Sequence, residues 1–223
     1  MSLGKNKKFI IFDLDGTLIN SIPDLRNAVN HALTKKGYNE ISLEEITPMI
    51  GNGLKEMVGG ALDKVKGEKA SDEELDDVIK IYKEHYTNNL TVDTYLYPHV
   101  PETLANLQGK GYKMVICTNK PYDFVEPIIK DLKIKSFFEE WIGEGSLEVK
   151  KPDPGPLNYL MKKHGFTKEE TVMVGDSRND IQAAQNAGVD SIGLSFGYNY
   201  HEPIADYNPT EVVNSFDEIQ DLL

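Results

Sequence analysis

The stretch FIIFDLDGTL, residues 9–18, decides how the rest of the chain is read. Four apolar residues run into Asp13, and a second carboxylate, Asp15, follows before Gly16 and Thr17. A short run that is apolar at every position, not at alternate ones, is the pattern of a parallel strand covered on both faces. Such a strand ordinarily ends in neutral turn residues, so two carboxylates at its exit call for a chemical reason.

Working outward, KFIIF (8–12) is joined by YKMVIC (112–117), EEWIG (139–143), TVMVG (171–175) and SIGL (191–194) as five buried strands. Helical stretches alternate with them: 101–111, 122–132, 154–165 with prolines at its start, and the alanine-rich 177–188, the last two stopping at Gly165 and Gly188. Strand alternating with helix implies βαβ units and an α/β fold with a doubly wound, Rossmann-like parallel sheet. Residues 20–93 break the pattern. Ser21-Ile-Pro-Asp24 resembles a capping box, and Ile22, Leu25, Val29 and Ala32 recur at helical spacing, as do Leu54, Met57, Ala61 and Val65, and Leu75, Val78 and Tyr82. Three or four amphipathic helices are therefore expected as an insertion. The division is a core of 1–19 and 94–223 and a helical domain of 20–93.

Composition narrows the possibilities. The 223 residues carry a net charge of −12, which argues against nucleic acid because no basic stripe offsets the acid. Nothing approaches the roughly 20 apolar residues of a membrane span, and the short FIIF run does not suit a signal peptide. Cys117 is the one cysteine, so no intramolecular disulfide is possible, and a cytoplasmic location is expected.

In a parallel sheet the carboxyl ends of the strands share one edge, and ligands bind there. Each of four strands is followed by polar residues: Asp13 and Asp15; Thr118-Asn119-Lys120; Lys150-Lys151-Pro-Asp-Pro; and Gly175-Asp176-Ser-Arg-Asn-Asp180. Singly, each has an ordinary explanation, as a turn, a loop lysine or, for Asp176, a helix cap. Together they converge. Two like charges about 4 Å apart cost about 4 kcal/mol at an effective dielectric near 20, so Asp13, Asp15, Asp176 and Asp180 require a cation. Oxygen-only ligands, few carboxylates and room for water favour Mg²⁺. Lysine, a threonine hydroxyl and exposed amides favour an anion. No GxxxxGK[ST] occurs, so a carboxylate is left as the group that attacks phosphorus.

DLDGT (13–17), Thr118-Asn119, Lys151-Pro152 and GDSRND (175–180) resemble the four motifs of the haloacid dehalogenase-like phosphatases. The resemblance covers nearly the whole chain and implies that residues 20–93 form a cap domain. It implies that Asp13 is the nucleophile forming an aspartyl-phosphate, and that Asp15 is the general acid and base. Mg²⁺ would be held by Asp13, the Asp15 carbonyl and Asp176, and Asp180 would support the metal or hold Lys151. Thr118, Asn119 and Lys151 would bind the phosphoryl group. Asp15 argues against the dehalogenase branch. IGNGL (50–54), YPHVPETLANLQGKGY (97–112), KPDPGPL (151–157) and SFGYN (195–199) are similar to the bacterial phosphoglycolate phosphatases. Asn20 stands where these usually have aspartate, and Gly60 where a cap arginine is often found.

The resemblance thus implies a small phosphorylated metabolite as the partner, with 2-phosphoglycolate the first candidate, acted on by a monomer or homodimer. Pyrophosphate or a sugar phosphate are the alternatives, and an inactive phosphate-binding regulatory module is the reading of a different class. Arg26 and Lys55 are the insertion's candidates for a substrate carboxylate, against the plainer reading of a solvated helix face. Hinges are expected near 19–21 and 92–97. The histidines at 31, 85, 99, 164 and 201 show no ligand spacing and read as surface or packing residues, and Trp141, Phe137 and Phe138 as core. Phe196-Gly197-Tyr198 is expected to shape the loop that supports Asp176.

Overall fold

The computed structural model describes residues 3, 6–199 and 202–223, so His201 lies outside the described residues. In chain order the elements are β1 (Phe9–Phe12), β2 (Ile19–Asn20), α1 (Ile22–Lys35), α2 (Leu43–Ile46), α3 (Leu54–Lys66), α4 (Asp72–Tyr86) and β3 (Tyr95–Leu96). They continue with α5 (Val100–Gly109), β4 (Lys113–Pro121), α6 (Tyr122–Asp131), β5 (Glu140–Glu144), α7 (Gly155–His164), β6 (Thr171–Gly175), α8 (Arg178–Ala187), β7 (Asp190–Leu194), β8 (Glu211–Val213) and α9 (Ile219–Leu222).

Six strands form one sheet in the order β5-β4-β1-β6-β7-β8, every neighbouring pair parallel. The two-sided burial expected of β1 is met residue by residue. Ile10 and Phe12 face a core shared with α5, α6 and the insertion, whereas Phe9 and Ile11 face a second core with α7 and α8. The chain leaves β1 for β4 and β5 on one side, then crosses back to β6, β7 and β8 on the other. The switch point therefore lies at β1, between β4 and β6, where a crevice opens at the carboxyl edge.

Residues between β2 and β3 form the expected helical insertion, its apolar faces continuous with the first core. It enters and leaves through a two-residue antiparallel ladder, Ile19 opposite Leu96 and Asn20 opposite Tyr95, at the expected hinge positions. Such short pairs, like the three-residue edge strand β8, carry too few residues to show a period.

Two sequence expectations are corrected. Ser21-Ile-Pro-Asp24 is not a capping box: Ser21 makes no side-chain cap, and its hydroxyl donates instead to Asp15 Oδ1 at 2.5 Å. Asp24 accepts from the backbone N–H groups of Asp93 and Thr94 and from the Thr94 hydroxyl. Thr118-Asn119-Lys120 does not follow its strand but lies within β4, which runs on to Pro121 after a register irregularity beyond Cys117. An irregularity of this kind re-aims side chains at a sheet edge. Ser177 caps α8, in keeping with the helical stretch expected from 177, so the plainer reading of Asp176 as a helix cap is not met.

Candidate active site

β1 delivers Asp13 to the switch point, its N–H bonded to Val174 of β6. The turn after it brings Asp15 to the same mouth. Gly16 adopts φ +87°, and a Cβ there would lie 2.3 Å from Asp176 Oδ2, so only glycine lets this turn approach the carboxylate. From β6, buried Asp176 is gripped on both oxygens: Oδ1 accepts from the Thr17 hydroxyl at 2.8 Å and Oδ2 from the Tyr198 N–H at 2.8 Å. A Cβ on Gly197 would stand 2.1 Å from Asp176 Cβ. The 196–198 loop therefore supports Asp176 as its sequence suggested.

Lys151 arrives from the loop before α7. Its buried ammonium lies 2.9 Å from Asp13 Oδ1 and 2.6 Å from Asp180 Oδ1. The second Asp180 oxygen accepts from the Ser177 N–H and hydroxyl at 3.0 and 2.7 Å. Asp180 thus holds Lys151 and ties the start of α8. Thr118 is buried on the cavity wall, its hydroxyl accepting from the Lys120 N–H at 3.1 Å. Asn119 donates to the Gly51 and Lys151 carbonyls at 3.0 and 2.9 Å. All seven sequence-derived candidates, Asp13, Asp15, Thr118, Asn119, Lys151, Asp176 and Asp180, therefore gather at one edge of the sheet.

Asp13, Asp176 and Asp180 place one oxygen each within 4.8 Å of one another. Lys151 alone does not balance this charge. Burial, and then Asp180 and Asp15 against the pull of Lys151, push the Asp13 carboxyl up to about 7. Burial, followed by Asp180 and Asp13, drives Asp176 well above the carboxylate range. Burial opposes the charge on Lys151, yet Asp13 and Asp180 hold it above the usual lysine range. Among the described residues Asp13 Oδ1 has the Lys151 ammonium as its one partner. Three buried carboxylates sharing one lysine form an oxygen-only set that fits a hard divalent cation. Cys117, within β4 and facing the second core, is pushed up to about 12 by burial and stays a packing thiol.

Several participants were missed in the sequence. Lys120 pairs with Asp15 at 3.0 Å, and Ser21 bonds the same carboxylate. Tyr82 and Tyr86, one turn apart on α4, line the cavity above Asp13 and Asp15 together with Leu54, Met57 and Phe124. Their only sequence signal is the shared helix face. The cavity spans about 430 Å³, part of it open to solvent. Arg26 lies outside its lining, donating from Nε to the Ile41 carbonyl at 3.1 Å, and Lys55 is exposed. Lys150 bridges Glu56 of the insertion and Glu144 of β5, away from the phosphoryl site. Gly60 faces Met49. His31 stacks on His85 and His164 meets Glu140, which accords with packing roles. Among the described residues no helix is long and apolar enough to cross a membrane.

Residues 10–194 match the family model of the haloacid dehalogenase-like hydrolases. A phosphoglycolate phosphatase of Colwellia psychrerythraea is 41% identical over 220 residues, 96% of each chain. One from Mannheimia succiniciproducens is 42% identical over 219 residues, covering 97% of this chain and 96% of its own. The crystal structure of a predicted phosphoglycolate phosphatase from Haemophilus somnus superposes with a TM-score of 0.93 at 37% identity, covering 98% of both chains. With its four motifs assembled at one sheet edge and relatives matched over nearly their full length, the chain belongs to the haloacid dehalogenase-like hydrolases, in their phosphatase branch.

Proposed function

We propose that the protein is a Mg²⁺-dependent phosphomonoesterase that works through an aspartyl-phosphate on Asp13, with 2-phosphoglycolate as substrate. The observation that carries the reading is the pairing of Asp13, 2.9 Å from Lys151, with a second carboxylate, Asp15, at the same mouth of one cavity. The names of the relatives support the choice of substrate. In this reading residues 1–19 and 94–223 carry the chemistry and 20–93 cap it, in the cytoplasm. One chain supplies every group named, so a monomer or a homodimer would serve.

An Asp13 oxygen attacks phosphorus while the bond to the leaving oxygen breaks. Asp15 turns from Ser21 and Lys120 to give that oxygen a proton. Water then enters, Asp15 takes its proton, and the acyl-phosphate is cleaved to phosphate and free Asp13. Thr118 and Lys151 donate to the phosphoryl oxygens throughout, and Asn119 holds the Lys151 loop against the insertion. Asp13, Asp176 and the Asp15 carbonyl, backed by Asp180, would hold Mg²⁺, which supplies charge neutralisation to nucleophile and phosphoryl group.

Phosphate release from 2-phosphoglycolate, pyrophosphate, glucose 1-phosphate and p-nitrophenyl phosphate tests the reading. A kcat/KM for 2-phosphoglycolate at least about tenfold above the rest, with activity lost in Asp13→Asn, is expected. Activity on every compound surviving in Asp13→Asn would refute the mechanism. A flat profile would refute the substrate alone.

A further inference from the structure

The proposed substrate carries a carboxylate, and the cavity must meet it with no arginine in its lining: Gly60 faces Met49, and Arg26 donates to Ile41. The insertion's wall is mostly apolar, with Leu25, Ile50, Leu54 and Met57 facing the sheet edge. An anion placed against those side chains alone would be desolvated without compensation. One polar atom on this wall stands out. Tyr86 is fully buried and lines the cavity, yet its hydroxyl has no hydrogen-bond partner. A buried hydroxyl with no protein partner that faces a cavity keeps its donor for whatever enters there.

Its surroundings narrow the ligand. Burial first, and then the charges of Asp15 and Asp24, keep the phenol far above its usual range, so it is a donor. The Lys120 ammonium sits 5.0 Å from the centre of the Tyr86 ring and is itself buried. Among the described residues Asp15 is the only acceptor within its hydrogen-bonding reach. An ammonium has three donors, so Lys120 keeps capacity for a second anion beside Asp15. A neutral donor and a cation together on an apolar wall suit one compact anionic group. A polyol would leave its hydroxyls facing leucine and methionine.

We infer that Tyr86 determines specificity: its hydroxyl, with the Lys120 charge beside it, receives the carboxylate of a small phosphorylated carboxylic acid. This inference rests on the substrate class proposed above. Because the carboxylate keeps its charge from binding to the transition state, the contact is uniform and its loss appears in KM.

The test compares 2-phosphoglycolate with ethyl phosphate, which lacks the carboxylate, on the full chain and on Tyr86→Phe. Phenylalanine keeps the ring against Tyr82 and Phe124. The wild type is expected to favour 2-phosphoglycolate. In Tyr86→Phe its kcat/KM should fall roughly ten- to hundredfold through KM, with ethyl phosphate turned over within about twofold of wild type. An equal fall on both substrates would show a structural role and overturn the inference. So would a preference undiminished in the variant. A wild type with no preference would overturn the carboxylate-bearing substrate class, and the receptor with it.

Discussion

Burial, more than any neighbouring charge, sets the protonation of Asp13. Its carboxyl, normally near 3.8, rises to about 7, so between these values the folded chain binds a proton there that the unfolded chain has lost. The sign follows from linkage: this contribution to stability is complete below 3.8 and is lost as pH rises through 7. Without metal the protein should melt lower at pH 8 than at pH 6, and Mg²⁺ should raise the melting temperature more at pH 8, because the ligands must be ionised to bind it. Differential scanning fluorimetry with EDTA or Mg²⁺ at both pH values reads this directly. An Mg²⁺ effect independent of pH would contradict it. By the same argument Asp13→Asn, a neutral isostere, should raise the metal-free melting temperature at pH 8 by roughly 4 °C. Turnover should meanwhile fall by at least about 10³-fold. A variant that melts lower would mean that the Lys151 pair outweighs the repulsion.

At the scale of elements, the extension of β4 through Thr118, Asn119 and Lys120 does most to shape the site. The irregularity beyond Cys117 lets successive residues serve different partners: Asn119 meets the insertion and the Lys151 loop, and Lys120 meets Asp15. The insertion's root is braced by Asp24, whose carboxylate accepts from two backbone N–H groups and one hydroxyl across the β2–β3 ladder. Asp24→Ala would strand three donors and should cost about 3 kcal/mol in urea denaturation. A loss below about 0.5 kcal/mol would show that water replaces the carboxylate. Neither brace was legible beforehand. Asp24 looked like a residue capping its own helix, because local spacing cannot reveal a partner 69 positions away.

For the whole molecule, the structure is a closed one. The Gly51 carbonyl of the insertion accepts from Asn119 and Asn179 of the core at 3.0 and 3.1 Å, and Asn179 also reaches Asn52 at 2.9 Å. Lys150 adds a half-exposed clasp between Glu56 and Glu144, a type of pair worth about 0–1 kcal/mol. The buried amide contacts should therefore dominate. Asn179→Ala is expected to speed hydrogen exchange in residues 50–54 by about tenfold while β1 and β6 stay protected. Exchange that is unchanged there would place the closing energy in the apolar contacts instead.

The sequence by itself determined the sheet and the chemistry at its edge. Runs apolar at every position are stable only between two covering layers, and parallel strands must end on a common side, so Asp13, Thr118 and Asp176 converge there, and the loop before α7 brings Lys151 to them. The helical insertion was equally legible from its 3.6-residue spacing. Only the tertiary structure decided what that insertion faces. Periodicity marks Tyr82 and Tyr86 as buried but does not say that they close over Asp15, nor that Arg26 turns away to Ile41. Likewise Lys120, Ser21 and Thr17 acquire their parts only when the fold sets them beside Asp15 and Asp176. Strand positions follow from short-range patterning, whereas hydrogen bonds and ion pairs depend on ångström-scale distances between segments remote in sequence, which packing alone sets.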